Sequence, residues 1–192
     1  MKRLILNAAF ALLALLPITA QSHEPGAHVH GLATLQIAVD DHVLTIDFSS
    51  PLDNLLGFEH MPANEKEKAA VQSMEIDLNK ANLVFIPTAE AQCVLKSVNL
   101  ESPVISKKSK ASTSGTASHE PGAASQVHDE EAGHADLDGE FIFNCADTKK
   151  LRDLQVKLFQ RYPHLHQIKA ETISSRGQSA TTLTADKHSV SW

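Results

Sequence analysis

Apolar and polar residues alternate with a period of two over several short runs of this chain, and turn-forming residues separate the runs. Val43-Leu44-Thr45-Ile46-Asp47-Phe48 is the clearest case, and His30 to Val39 precedes it with Leu32, Ile37 and Val39 as apolar positions. Asp40-Asp41-His42 lies between them, so the two runs predict a β-hairpin. Ser49-Ser50-Pro51 then breaks the pattern, with Ser50 as a helix N-cap and Pro51 at the first helical position. Leu52, Leu55, Leu56 and Phe58 predict a short helix that Gly57 weakens. From Asn64 to Asn79 the period lengthens. Asn64 can cap this helix, Glu65 and Glu67 suit its positive end, and Ala69, Ala70, Met74, Ile76 and Leu78 form its apolar stripe. Leu83 to Ile86 and Cys93 to Glu101 read as strands.

Ser106 to Ala135 contains almost no large apolar residue. A segment of Ser, Lys, Gly, Ala, His and acid cannot bury a core, and is expected to be mobile without a ligand. Glu140 to Cys145 resumes as a strand. Asp147 and Thr148 start a predicted helix to Arg161, with Leu151, Leu154, Leu158 and Phe159 on its buried side. Leu165 to Ser174 and Ser179 to Thr184 form a closing hairpin around Arg176-Gly177, and the last residues add edge pairing. His23-Glu24-Pro25-Gly26-Ala27 returns as His119-Glu120-Pro121-Gly122-Ala123, and a comparable order of elements follows each copy. The predicted fold is α+β: two related halves of antiparallel strands packed with helices, residues 23–105 and 136–192, joined by the His- and acid-rich stretch 106–135.

The first 22 residues stand apart from this pattern. Met1-Lys2-Arg3 is basic, Leu4 to Leu16 is apolar but for Asn7, and Ala20-Gln21-Ser22 offers small residues for cleavage after Ser22 or after Ala20. These are the parts of a signal peptide, which places the mature protein in the periplasm. The apolar run is short for a membrane span and no later segment is apolar enough, so no membrane insertion is expected after cleavage. Without Lys2 and Arg3, 15 basic residues face 23 acidic ones, a formal charge of −8. That balance disfavours nucleic acid and suits cations. Cys93 and Cys145 are the only cysteines, and export predicts a disulfide between them rather than two zinc thiolates.

Eleven histidines remain to be explained. His23, His28 and His30 open the mature chain, and His119, His128 and His134 lie in the acidic stretch. Neutral imidazole is the commonest protein ligand for zinc, and carboxylates complete such shells. In an extended chain, residues two apart point to one side, so His28 and His30 can reach one ion. His134 and Asp136 repeat that spacing, and Glu59-His60 lies between the two helical segments. His119 and His128, with Asp129, Glu130 and Glu131, suit looser binding. His164 and His166 form a weaker pair, and His42 and His188 read as solvated. Cleavage after Ala20 would leave Gln21-Ser22-His23 as the terminus, a square-planar nitrogen set for copper or nickel. There is no His-Glu-x-x-His, Gly-x-Ser-x-Gly or Gly-rich phosphate loop, so no enzyme is expected.

Taken in order, His28-Val29-His30-Gly31, Ser50-Pro51, Gly57-Phe58-Glu59-His60-Met61-Pro62, His134-x-Asp136, Phe141-Ile142-Phe143-Asn144-Cys145, Leu158-Phe159-x-x-Tyr162-Pro163, Gly177-Gln178 and Leu183-Thr184 are similar to the zinc-regulated periplasmic proteins of the ZrgA type. The resemblance spans nearly the whole mature chain. It implies a zinc (Zn2+) ligand, a part in zinc acquisition beside a zinc ABC importer, and His28, His30, Glu59, His60, His134 and Asp136 as positions to test. Two other readings remain: a copper or nickel binder, and an envelope interaction module with incidental histidines. Histidine ligands must be neutral to bind, so affinity is expected to fall as pH drops through about 6.5.

Overall fold

The computed structural model describes residues 29–105 and 135–191. The predicted leader, His23, His28, His119, His128 and His134 therefore lie outside the described residues.

The first hairpin forms as the alternation requires. Strand β1 (Leu32–Asp40) pairs antiparallel with β2 (Val43–Pro51), and Asp41 takes a positive φ of 46° in the turn between them. Helix α1 (Leu52–Leu56) follows at once and ends at Gly57 in the left-handed region. Its N-cap is Pro51, one residue later than expected, and no side chain caps it. Ser50 is instead buried, donating to the Pro51 carbonyl and accepting from Asn54.

Helix α2 (Glu65–Asn79) is capped as its sequence predicts: the Asn64 side chain accepts from Glu67 N at 3.0 Å, and the Glu67 carboxylate accepts from Ala63 N at 2.7 Å. Its buried stripe is Val71, Met74 and Leu78, spaced by three and four, whereas Ile76 and Ala69 face solvent. Met74 and Leu78 of the expected stripe are thus buried and Ala70 is half-buried, while Val71 takes the buried place expected of Ile76.

Strands β3 (Phe85–Pro87) and β4 (Cys93–Glu101) close the first stretch of chain. Beyond residue 134 come β5 (Asp136–Cys145), β6 (Asp153–Val156), helix α3 (Leu158–Arg161), β7 (Gln167–Ser174), β8 (Gly177–Leu183) and β9 (Ser189–Ser191). The helix expected from Asp147 to Arg161 does not form. Thr148–Lys150 make one 3-10 turn with Asp147 as its cap, and β6 and the single turn of α3 follow. Buried Leu154, Val156 and Leu158 are spaced by two, which is strand spacing, and β6 is the centre of a three-stranded sheet β3-β6-β9. Tertiary pairing on both edges outweighs the local helical pattern.

The larger sheet has six strands in the order β4-β5-β2-β1-β7-β8, with β1 and β7 parallel and the other pairs antiparallel. Strands from both sides of the undescribed stretch interleave here, since β5 lies between β4 and β2. One face carries Leu35, Ile37, Leu44, Ile46, Phe48, Leu137, Phe141 and Phe143, all buried. The small sheet lies with this core, and the Phe85 and Phe141 rings stand 4.9 Å apart. The other face carries Thr34, Gln36, Asp47, Asp138, Glu140 and Glu171 and is open to solvent, as antiparallel sheets allow. Arg161 donates its guanidinium fork to Asp77, tying α3 to α2; that carboxylate in turn raises the Arg161 pKa. Burial, with the Asp77 charge behind it, pushes the neighbouring Tyr162 phenol well above its usual range. Among the described residues, no helix is long and apolar enough to cross a membrane.

Cys93 and Cys145 are bonded, as expected, and they face each other at the end of the β4–β5 ladder across a sequence separation of 52. A cross-link closing that length of chain stabilises by on the order of 2–4 kcal/mol, chiefly through the unfolded state. Reduction is therefore expected to lower the urea midpoint without changing the native circular dichroism at zero denaturant. An unchanged midpoint after complete reduction would show that the ladder alone sets the stability.

Candidate metal centre

Four chain segments meet at one end of the six-stranded sheet, and topology brings them there. β1 begins at Leu32, β2 ends at Pro51, β5 begins at Asp136 and β7 begins at Gln167. These ends align in register, with Leu32 opposite Gln167 and Pro51 opposite Asp136. The residues just outside the strands are His30-Gly31, helix α1, Ala135 and His164 to His166.

His30 occupies a tight turn. Leu32 N donates to the Val29 carbonyl at 3.0 Å, and Gly31, with φ of 84°, takes the turn position that needs a left-handed backbone. The extended spacing expected around His30 is therefore replaced by a turn. Gly31 is fixed on every side. Its N–H donates to Asn54 Oδ1 at 2.6 Å, and its carbonyl accepts from His166 N at 2.9 Å and Gln167 N at 2.8 Å. A β-carbon at this position would lie 2.7 Å from His166 Cδ2. Asn54 is buried and also donates to the Leu32 carbonyl at 3.0 Å and to Ser50 Oγ at 3.1 Å. One carboxamide thus locks the His30 turn onto α1.

With the turn fixed, the His30 ring lies between two carboxylates. Its Nε2 is 3.2 Å from Glu59 Oε1 and its Nδ1 is 3.8 Å from Asp53 Oδ2. The ring is about half exposed, while Glu59 is largely buried and its Oε1 is shut off from solvent. Asp136 enters from β5 opposite Pro51, and its Oδ1 is likewise shut off. Leu52 N donates to the Ala135 carbonyl at 2.8 Å, which holds the start of β5 against the start of α1.

His60 is exposed and makes its contacts within its own loop. Its ring stacks on Phe58 with centroids 5.0 Å apart, and its Nδ1 lies 2.9 Å from the Met61 carbonyl. On α2, Glu67 is held below the usual carboxylate range first by the Ala63 N–H, then by the Asn64 side chain, and to a lesser degree by His60. Of the expected ligands, the fold thus gathers His30, Glu59 and Asp136 at one sheet end and leaves His60 exposed on the α2 side of its loop. Asp53 was not expected and faces His30. His164 and His166, read as the weaker pair, also border the site: His166 packs on Gly31, and His164 Cε1 lies 3.8 Å from a β-carbon built on Gly57. Their signal lay in long-range pairing of β7 with β1, which local spacing does not carry. Among the described residues, no group of three or more His, Cys, Asp or Glu side chains is placed to hold a metal ion.

The donor set can nevertheless be tested against zinc chemistry. Zinc bonds of about 2.0–2.2 Å at tetrahedral angles put neighbouring ligand atoms roughly 3.3–3.5 Å apart. The His30–Glu59 separation of 3.2 Å is close to that edge, and Asp53 faces the second ring nitrogen, where a carboxylate commonly orients a metal-bound histidine. The residues present fit two adjacent positions of a zinc shell.

The lock makes a direct prediction. Asn54→Ala leaves the buried Gly31 N–H and Leu32 carbonyl without their side-chain partner, and each orphaned group costs about 1–3 kcal/mol. The variant is expected to lose about 2–4 kcal/mol in urea unfolding. It is also expected to show faster amide exchange at Gly31 and Leu32. A loss under half a kcal/mol, with exchange unaltered, would show that the carboxamide is dispensable.

No curated protein matches the chain. A family model does, over residues 27–192, which takes in every described element and the whole sheet end built around His30. The chain belongs to the ZrgA family of zinc uptake proteins.

Proposed function

We propose that this protein is a periplasmic zinc binder that takes up Zn2+ at the His30 end of the sheet and passes it towards a zinc ABC importer. It acts as a carrier or store and not as an enzyme. The observation that carries the reading is the His30–Glu59 pair, one imidazole and one carboxylate oxygen 3.2 Å apart, fixed by a buried lock. Membership of a zinc uptake family supports the choice of metal, and the Cys93–Cys145 disulfide supports an oxidising compartment reached through the leader.

In this reading His30 Nε2 and Glu59 are two ligands, and Asp53 orients the ring through Nδ1. Asp136 is a third candidate. His28 and His134 stand two residues before His30 and Asp136 in the sequence, and complete the proposed set. His60 is an exposed alternative on the neighbouring loop. His23, His119 and His128, with the acids around them, are proposed as looser sites that raise zinc capacity without belonging to this centre. The mature protein inserts in no membrane and binds no nucleic acid.

The decisive experiment is a zinc titration of demetallated mature protein by calorimetry, with His30→Ala, Glu59→Gln and His28→Ala tested singly. Each is expected to weaken the tightest site by about tenfold to a hundredfold, as losses at or next to a metal ligand do. Asn99→Ala, on the open sheet face, is expected to change nothing. Unaltered affinity in His30→Ala and Glu59→Gln would remove the site from this end of the sheet. Tighter binding of copper or nickel, dependent on a free Gln21 terminus, would favour the square-planar alternative.

A further inference from the structure

At the opposite end of the same sheet, the β1–β2 turn, the segment after β5 and the β7–β8 turn surround a second feature. It is a solvent-open cleft of ≈ 860 Å³, roughly 25–30 Å from His30 by the length of β1. Lys149, Arg152 and Arg176 line it, as do Asp40, Asp41 and Asp147.

The two signs are not equally engaged. Asp147 Oδ1 accepts from Lys149 N at 3.1 Å, and its Oδ2 lies 3.5 Å from the Lys150 ammonium, which is not among the lining residues. Asp41 lies 3.7 Å from His42 Nε2. Among the described residues, the Lys149 ammonium and the Arg152 guanidinium have no side-chain hydrogen bond or ion pair. Arg176 spends one nitrogen on the Leu151 carbonyl at 2.5 Å. That bond anchors the β7–β8 turn beside the residue before Arg152, and leaves the rest of the Arg176 fork available. Among the described residues, Asp40 and Asp41 have no lysine or arginine partner, and these two carboxylates stand against the three cations. The uncommitted charge of the cleft is therefore positive, on a chain whose formal charge is −6.

We infer that this cleft binds a small, multiply charged oxyanion, one bearing carboxylate or phosphate groups, with Arg152 and Lys149 as its counter-charges and Arg176 as the fixed edge. Guanidinium forks match both groups in two-pronged fashion, and the volume lies in the range of small-molecule sites.

The site is distinct from the proposed metal centre, and its test is separable. Chelator-treated, dialysed mature protein is titrated at low salt with citrate and with pyrophosphate, and sedimented with vesicles of phosphatidylglycerol or phosphatidylcholine. Saturable binding of one free oxyanion per chain is expected. It is expected to weaken at least about tenfold in Lys149→Gln/Arg152→Gln, two exposed positions whose replacement leaves the zinc isotherm and the urea midpoint unchanged. Sedimentation with phosphatidylglycerol alone, lost in the same variant, would assign the same chemistry to a lipid headgroup. No saturable binding to either probe or vesicle, or binding indifferent to the double substitution, would overturn the inference.

Discussion

The buried carboxamide of Asn54 is the constraint on which the His30 end of the sheet depends. It accepts from Gly31 and donates to Leu32 and Ser50, so a single side chain joins the approach to β1, the exit from β2 and the first turn of α1. α1 has five residues and no side-chain cap, too short to hold itself. It persists because Asn54 and the Ala135 carbonyl pin it to the sheet. The placement of His30 between Asp53 and Glu59 follows from that pinning. Both carboxylates are carried by α1 and the loop that leaves it, while His30 is carried by the turn that Asn54 clamps.

An imidazole placed between two acids has a clear chemical consequence. In water such a group would be free to rotate, and a metal would have to order it at an entropic cost. Here the ring and one oxygen are already close to ligand spacing, and the second ring nitrogen faces a carboxylate that can fix its tautomer. The half-exposed histidine beside a largely buried glutamate leaves one side of the pair open to solvent. The sheet thereby separates two chemistries. Imidazole and carboxylate meet where β1 and β7 begin, and a cleft lined by both lysine or arginine and aspartate opens where they end.

Much of the fold was legible because strands buried on one face write a period of two. The β1–β2 hairpin, the β7–β8 hairpin and the Asn64 cap could all be read from local pattern and turn chemistry. β6 could not, because Leu151, Leu154 and Leu158 are spaced for a helix while Leu154, Val156 and Leu158 are spaced for a strand; only pairing with β3 and β9, both distant in sequence, decides between them. The site shows the same division. His30, Glu59 and Asp136 stood out as metal-type residues near turns, whereas Asp53 looked like an ordinary acid in a first helical turn. Asn54 carried no signal at all, since its role exists only once β1 lies beside β2. His166 gained its place from the parallel pairing of β7 with β1, which no local motif announces.

The most direct measurement of the central claim is a crystal structure of zinc-loaded mature protein with anomalous data collected at the zinc edge. A peak bonded to His30 Nε2 and a Glu59 oxygen at about 2.0–2.2 Å is expected, with the Asn54 lock unchanged beneath it. Zinc peaks confined to other histidines, with His30 and Glu59 still paired to each other and no metal between them, would contradict it.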